Sequence, residues 1–322
     1  MTQRSIRCTA AGLLLALVLC AAAGCREKEE PSTDPNAQGK KRYEIGFCMT
    51  LDHPYWQNMR LGAMDEARKL RAHVTIMNAN EDPVLQIQQI QELIARRVDI
   101  ACVVPMKKEP LVKGIQALNR AGIPVIIVNR QIGAGCDYVC YTGTDTYQGA
   151  VASARILVRA IGGAGGIAEL HQHLGTGPEI LRSKALRDVL KDYPDVKILA
   201  RVPHDGDRGK AIRETQTLLA KYPRLKGIFA QGDNFAIAAA DACIKAGRTD
   251  IAIVGVGGSA EAIEAIKAGK ITGTSYQQPE MEGRMAIRLA VRYLNGEKLD
   301  KAYPVECPPI TRQNAHQFQG QF

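Results

Sequence analysis

The side chains able to do chemistry in this 322-residue chain gather in short polar groups, each at the end of an apolar run. The first is Leu51-Asp52-His53-Pro54-Tyr55-Trp56-Gln57-Asn58-Met59, which carries the only tryptophan. The flat rings of Tyr55 and Trp56 suit stacking on the apolar C–H face of a small molecule, or plugging the core beneath a helix; the sequence leaves both readings open. The other groups are Asn129-Arg130, Asp145-Thr146, His171, Glu179 with Arg182, Asp205 with Asp207, Asp233-Asn234, and Gln277. Amides, carboxylates and guanidinium present paired donors or acceptors, which suits gripping adjacent hydroxyls. Arg130 also reads as half of a structural ion pair.

Other chemistries find less support. His171-Gln172-His173 puts two imidazoles on one side of a strand, a geometry compatible with metal, but the sequence ties no acidic or thiol ligand to them. Gly255-Val256-Gly257-Gly258-Ser259-Ala260 fits a dinucleotide fingerprint, yet Gln277, not an acid, ends the next strand. It reads as a tight strand-to-helix turn. Gly163-Ala164-Gly165-Gly166 precedes a strand, the wrong order for a phosphate cradle. There is no Gly-x-Ser-x-Gly elbow and no CxxC pair. The expectation is a binding protein, not an enzyme, with no metal and no cofactor.

These groups need elements to position them, and the hydrophobic pattern supplies an alternation. Strands are expected at 43–50, 74–78, 99–105, 124–129 and 138–144, with helices between the first four. After the glycine-rich turn at 162–166 the pattern restarts, with strands at 166–170, 196–202, 226–231, 251–256 and 271–276. Helices are expected at 178–192, 208–221, 234–246, 259–268 and 279–295. Alternation of this kind requires parallel sheets covered by helices, so the fold class is α/β: two similar doubly wound parallel-sheet lobes. The prolines at 304, 308 and 309 suit extended crossings between lobes. The expected division is residues 42–144 plus 278–303 in an N-terminal lobe and 145–277 plus 304–322 in a C-terminal one.

A hydrophobic content of 46% with 23% charged residues describes a globular chain. The net charge of +9 is spread thinly, with short clusters such as those at 40–42 and 107–108, which argues against a nucleic-acid surface. Residues 1–24 read as a signal peptide: Arg4 and Arg7, an apolar run from Ala10 to Ala23, then small residues. Arg26 to Lys41 is polar, charged and punctuated by Pro31, Pro35 and Gly39, a flexible tether. Cys8 and Cys20 would leave with the signal. Cys48, Cys102 and Cys243 lie in apolar runs and are expected as buried thiols, while the spacing of Cys136 and Cys140 leaves a disulfide open.

Two resemblances sharpen this reading. Ala22-Ala23-Gly24-Cys25 resembles the bacterial lipobox, with Ala22 where a larger aliphatic residue is usual. It implies cleavage before Cys25, lipid on its sulfur, and residues 25–41 as the anchored tether. From Arg42 to Arg312 the chain resembles the periplasmic sugar-binding proteins related to ribose-binding protein. The motifs that carry this are Asp52-His53-Pro54-Tyr55-Trp56, the run Pro124 to Arg130, Gly143-Thr144-Asp145 with Gly149, Asp207-Arg208-Gly209, Phe229 to Asp233, and Gln277-Gln278-Pro279.

The resemblance implies a cleft between lobes, with Tyr55 and Trp56 sandwiching a sugar and Arg130 gripping its ring oxygens. Asn129, Asp145 and Gln277 would fix hydroxyls, and His53, His171, Arg182, Asp205 and Asp233 complete the expected ligand-binding set. Three departures alter the site. Gly257 stands where the family usually has a carboxylate, Gly232 where it often has asparagine, and Ile180 at the place of an arginine, with Arg182 two residues on. They favour a ligand larger than a pentose or differently functionalised. The resemblance implies capture of a sugar or related polyol and delivery to an ATP-driven (ABC) permease by a monomer that is lipid-anchored in the periplasm, or at the cell surface where no outer membrane exists. The alternatives are presentation of a solute to a membrane receptor or histidine kinase, and binding of a sugar acid or nucleoside.

Overall fold

The computed structural model describes residues 42–50, 53–203 and 206–322. The signal, the tether and Cys25 lie outside them, as do Asp52 and Asp205. Residues 42–322 form one compact unit.

Its first sheet has the order β11-β5-β4-β3-β1-β2 and is parallel throughout. The strands are β1 Glu44–Met49, β2 His73–Asn78, β3 Ile100–Val103, β4 Val125–Val128, β5 Cys140–Thr144 and β11 Ala302–Val305. Successive side chains of a strand point to opposite faces, and the buried residues sort accordingly. Ile45, Phe47, Met49, Ile100, Cys102 and Ile126 meet helices α1 (Pro54–Lys69) and α9 (Pro279–Leu294). Cys48, Ala101, Val103, Val125 and Ile127 meet α2 (Pro83–Ala95) and α3 (Val112–Arg120) on the other face.

The second sheet, order β12-β10-β9-β8-β6-β7, repeats the plan. Its strands are β6 Gly165–His171, β7 Val196–Pro203, β8 Leu225–Ala230, β9 Ala252–Val254, β10 Gly273–Ser275 and the antiparallel edge β12 Pro309–Thr311. Ile167, Phe229 and Val254 pack with α4 (Thr146–Ala160) and α5 (Gly177–Leu190) on one face. Ala168, Leu170, Ile228 and Ala230 pack with α6 (Arg208–Lys221), α7 (Asp233–Lys245) and α8 (Ala260–Lys267) on the other. The expected pair of doubly wound lobes is therefore what the chain forms.

The chain crosses between lobes three times, after β5, after β10 and after β11. Each crossing leaves a parallel strand at its carboxyl end, so the carboxyl ends of both sheets face one another across the crossings. Ligands bind at that edge of open α/β sheets. The third crossing comes two residues later than the expected boundary at 303, because Pro304 and Val305 still pair with Gly143 and Thr144.

All six described cysteines are thiols; Cys136 is partly exposed and the others are buried. Cys140 sits in the core under α9, so it is packed as a small hydrophobe.

Candidate functional site

Helix α1 begins where the first sheet ends. His53 has extended backbone, its Nδ1 accepts the Tyr55 N–H at 3.1 Å, and Pro54 occupies the first turn, where a missing N–H costs nothing. This start throws Tyr55 and Trp56 onto the buried side of the helix, 9% and 8% exposed, with ring centroids 5.0 Å apart. The two readings of these rings are thus resolved in different ways.

Tyr55 is a core group. Its hydroxyl donates to Glu282 Oε1 at 2.9 Å and accepts from Asn129 Nδ2 at 2.9 Å. Asn129 Nδ2 also donates to Glu282 Oε2 at 2.7 Å, and the Thr144 N–H reaches Glu282 Oε1 at 2.7 Å, with the Thr144 hydroxyl donating to the same oxygen. Glu282, on α9, is fully buried, and burial pushes its pKa above the ordinary carboxylate value against these bonds. Five groups from β4, β5, α1 and α9 are tied into one knot. Asn129 adopts φ +59°, a left-handed conformation that asparagine tolerates, held by its N–H on Thr142 O at 2.8 Å and by Tyr141 Oη on its carbonyl at 2.8 Å. Gly143 is required beside it, because a Cβ there would lie 2.6 Å from the Asn129 Cα.

Trp56 carries the cation. The Arg130 guanidinium lies 4.9 Å from the centre of the Trp56 ring, and Nη2 is 3.6 Å from Glu81 Oε1. Burial lowers its pKa, with Glu81 opposing. An exposed carboxylate at that distance is a loose partner, so the fork keeps donors available beside an aromatic face.

On the second lobe, α5 and α7 start at the carboxyl ends of β6 and β8. Arg182 is 7% exposed, and its Nη1 donates to the Gln231 carbonyl. Its Nε has no hydrogen-bond partner. His171 stands between two carboxylates, Nδ1 at 2.7 Å from Glu179 Oε1 and Nε2 at 3.3 Å from Glu169 Oε2. Burial pulls its pKa down, but the bonds and charges of Glu169 and Glu179 outweigh that and the net shift is upward. Ser183 and Gln231 Nε2 also donate to Glu169, at 2.7 and 3.0 Å, and Arg201 Nε does so at 3.2 Å.

Asp233 accepts from the Ser259 N–H at 2.7 Å and from the Thr274 hydroxyl at 2.6 Å, and is 4% exposed. Burial raises its pKa despite those bonds. His171 and Asp233, both expected in the ligand-binding set, are buried and bonded within the second lobe. Gly255 and Gly257 make room for this carboxylate: a Cβ on either would come within 2.7 Å of an Asp233 oxygen. The glycine motif is thus a tight turn into α8, as expected. Asp145 caps α4, accepting the Gln148 N–H at 2.9 Å, and Gln277 N–H donates to Gly257 O at 2.8 Å in the second crossing. Among the described residues no cluster of three or more His, Cys, Asp or Glu could hold a metal ion.

The structure brings Trp56, Arg130, Asn129 and Tyr55 together at the edge of one lobe, and Arg182 and Gln277 at the facing edge of the other. Sequence reasoning missed Glu282 and Glu81. Glu282 left a trace, a carboxylate in register with the apolar stripe Ala286, Leu289 and Ala290 of α9. An acid on a buried stripe signals a partner.

Known proteins share this architecture. A ribose import binding protein of Salmonella typhimurium is 28% identical over 278 residues, covering 86% of this chain and 93% of that protein. A xylitol-binding protein of Mycolicibacterium smegmatis is 31% identical over 240 residues, covering 74% of this chain and 68% of that one. An ABC transporter periplasmic solute-binding protein from Actinobacillus succinogenes, solved with bound D-allose, superposes with a TM-score of 0.78 at 27% identity, over 86% of this chain and all of that one. Residues 46–298 match the model of the periplasmic binding protein domain. With two parallel-sheet lobes, three crossings and an aromatic and arginine edge between them, the chain belongs to the periplasmic binding protein family.

Proposed function

We propose that this protein captures a sugar or related polyol between its lobes and hands it to an ABC permease. The observation that carries this is Arg130 lying over Trp56 at the carboxyl edge of the first sheet, opposite the second lobe. An aromatic face beside a guanidinium fork matches the amphipathic surface of a sugar, apolar on its C–H face and hydroxylated at its rim. The ribose, xylitol and D-allose named for its relatives support the solute class.

Ligand bridging both edges favours the closed arrangement by contacts that the open one lacks, and the three crossings act as the hinge. Trp56 stacks, Arg130 binds ring oxygens, and Gln277, Arg182, Asn129 and Asp145 fix hydroxyls as the lobes meet; His53 and Asp205 complete the proposed set. No bond is made or broken in this cycle. Processing before Cys25 and lipid on its sulfur would tether the monomer through residues 25–41 to a membrane, in the periplasm or, without an outer membrane, outside the cell.

A thermal-shift screen against neutral sugars, polyols, sugar acids and nucleosides tests the reading. Saturation at about 100 times Kd adds roughly 2.7 kcal/mol to the folded state, a readily measured rise in Tm. A hit among neutral sugars or polyols is expected. Stabilisation by sugar acids or nucleosides alone would contradict it.

A further inference from the structure

The segment Gln319–Phe322 lies between the lobes and bonds to both. Toward the first lobe, the Phe322 ring stands edge-on to Tyr55 at 5.2 Å and to His53 at 6.2 Å. Asn58 Nδ2 donates to the Gln321 carbonyl, and the Glu280 N–H donates to Gln321 Oε1 at 3.2 Å. Toward the second lobe, the Phe322 carbonyl accepts the Ala260 N–H at 2.9 Å, the first backbone donor of α8. Tyr276 Oη donates to the Gln319 carbonyl at 2.8 Å. Gly320 lies so close to α8 that a Cβ there would be 2.2 Å from the Ala260 backbone nitrogen.

The segment is thus seated between the first turns of α1 and α8, one from each lobe, and both starts lie at the carboxyl edge where the lobes face. Bonds to both lobes cannot all survive their separation. Either the Asn58, Tyr55 and Glu280 side is lost or the Ala260 and Tyr276 side is.

We propose that Gln319–Phe322 is an interlobe clasp, and that Phe322 is a positioning residue for the aromatic edge at Tyr55 and Trp56. The clasp is present only while the lobes are together, so it adds to the closed arrangement whether or not solute is bound. A larger closed fraction raises apparent affinity, because binding no longer has to draw on a scarce competent state. It also slows release, since opening must break the clasp as well as the ligand contacts.

The test compares the purified protein with a variant lacking residues 319–322, and with Phe322→Ala, Phe322→Tyr and Asn58→Ala. Small-angle scattering of the ligand-free protein reads closure without reference to any solute, so it stands apart from the proposed function. The expected result is a larger radius of gyration for the deletion, a smaller increase for Phe322→Ala and Asn58→Ala, and near-restoration by Phe322→Tyr. With a solute from the screen, dissociation should be about five- to tenfold faster in the deletion, the scale expected for losing one or two net hydrogen bonds and a ring contact. If the deletion misfolds, the point variants carry the same comparison. An unchanged radius would overturn the proposal. So would a fall in Tm with scattering and dissociation unaltered, because that outcome makes the segment simple packing.

Discussion

His171 shows how a residue that reads as a ligand can be spent on the fold. Held between Glu169 and Glu179, with Ser183, Gln231 and Arg201 around the same carboxylates, its imidazolium balances buried negative charge. Because its pKa in the folded protein lies above the ordinary 6.5, the stability it contributes is fully present below that value. It is lost as pH rises through the folded value. The Tm of the wild type should therefore fall relative to that of His171→Gln as pH rises above the ordinary histidine value. Parallel pH profiles would contradict this. The pairing was half legible. Residues 169 and 171 share one side of a strand by its period of two, but nothing in the sequence brings Glu179, from the start of α5, back over them. Glu282 is the same case across a longer span, its partners Tyr55, Asn129 and Thr144 being more than a hundred residues away in the chain.

At the scale of elements, the alternation of apolar runs and helical stripes carried most of the fold. Helix α6 spans Arg208–Lys221, the bounds its capping Asp207 and its spacing suggest. Periodicity says which way a side chain faces but not which sheet a strand joins, so the expected crossing near the prolines at 304, 308 and 309 gave no sign that β11 pairs in the first sheet before it and β12 in the second after it. Nor does it reveal that α1 and α9 touch backbone to backbone. A Cβ on Gly62 would come 2.0 Å from the Glu280 carbonyl oxygen, and one on Gly283 would come 2.0 Å from that of Met59. Glu282 lies within this crossing and Tyr55 one turn before Met59, so the crossing sets the distance across which the knot closes. Gly283→Ala should force the helices apart and cost about 1–3 kcal/mol, as overpacking does, seen as a lower midpoint in chemical denaturation. A wild-type midpoint would show that the helices yield freely there.

For the whole molecule, the architecture follows from two sheets that both present their carboxyl ends to the same three crossings. In the proposed closure those crossings are the hinge, and polar groups at the facing edges divide into two sets. Asp233, His171, Glu282 and the Tyr55 hydroxyl are bonded inside a lobe and keep each edge rigid. Arg130 over Trp56, with Arg182 and Gln277 opposite, is the set we propose meets a solute. The sequence motifs located both sets without separating them, because which oxygen is already taken depends on packing between distant elements. Calorimetric titration of the wild type and of Arg130→Gln with the solute found in the screen tests the central claim most directly. The account predicts one site per chain and about ten- to a hundredfold weaker binding by Arg130→Gln, the loss of charge-assisted hydrogen bonds to that solute. Equal affinity for the two proteins would place the solute elsewhere and contradict it.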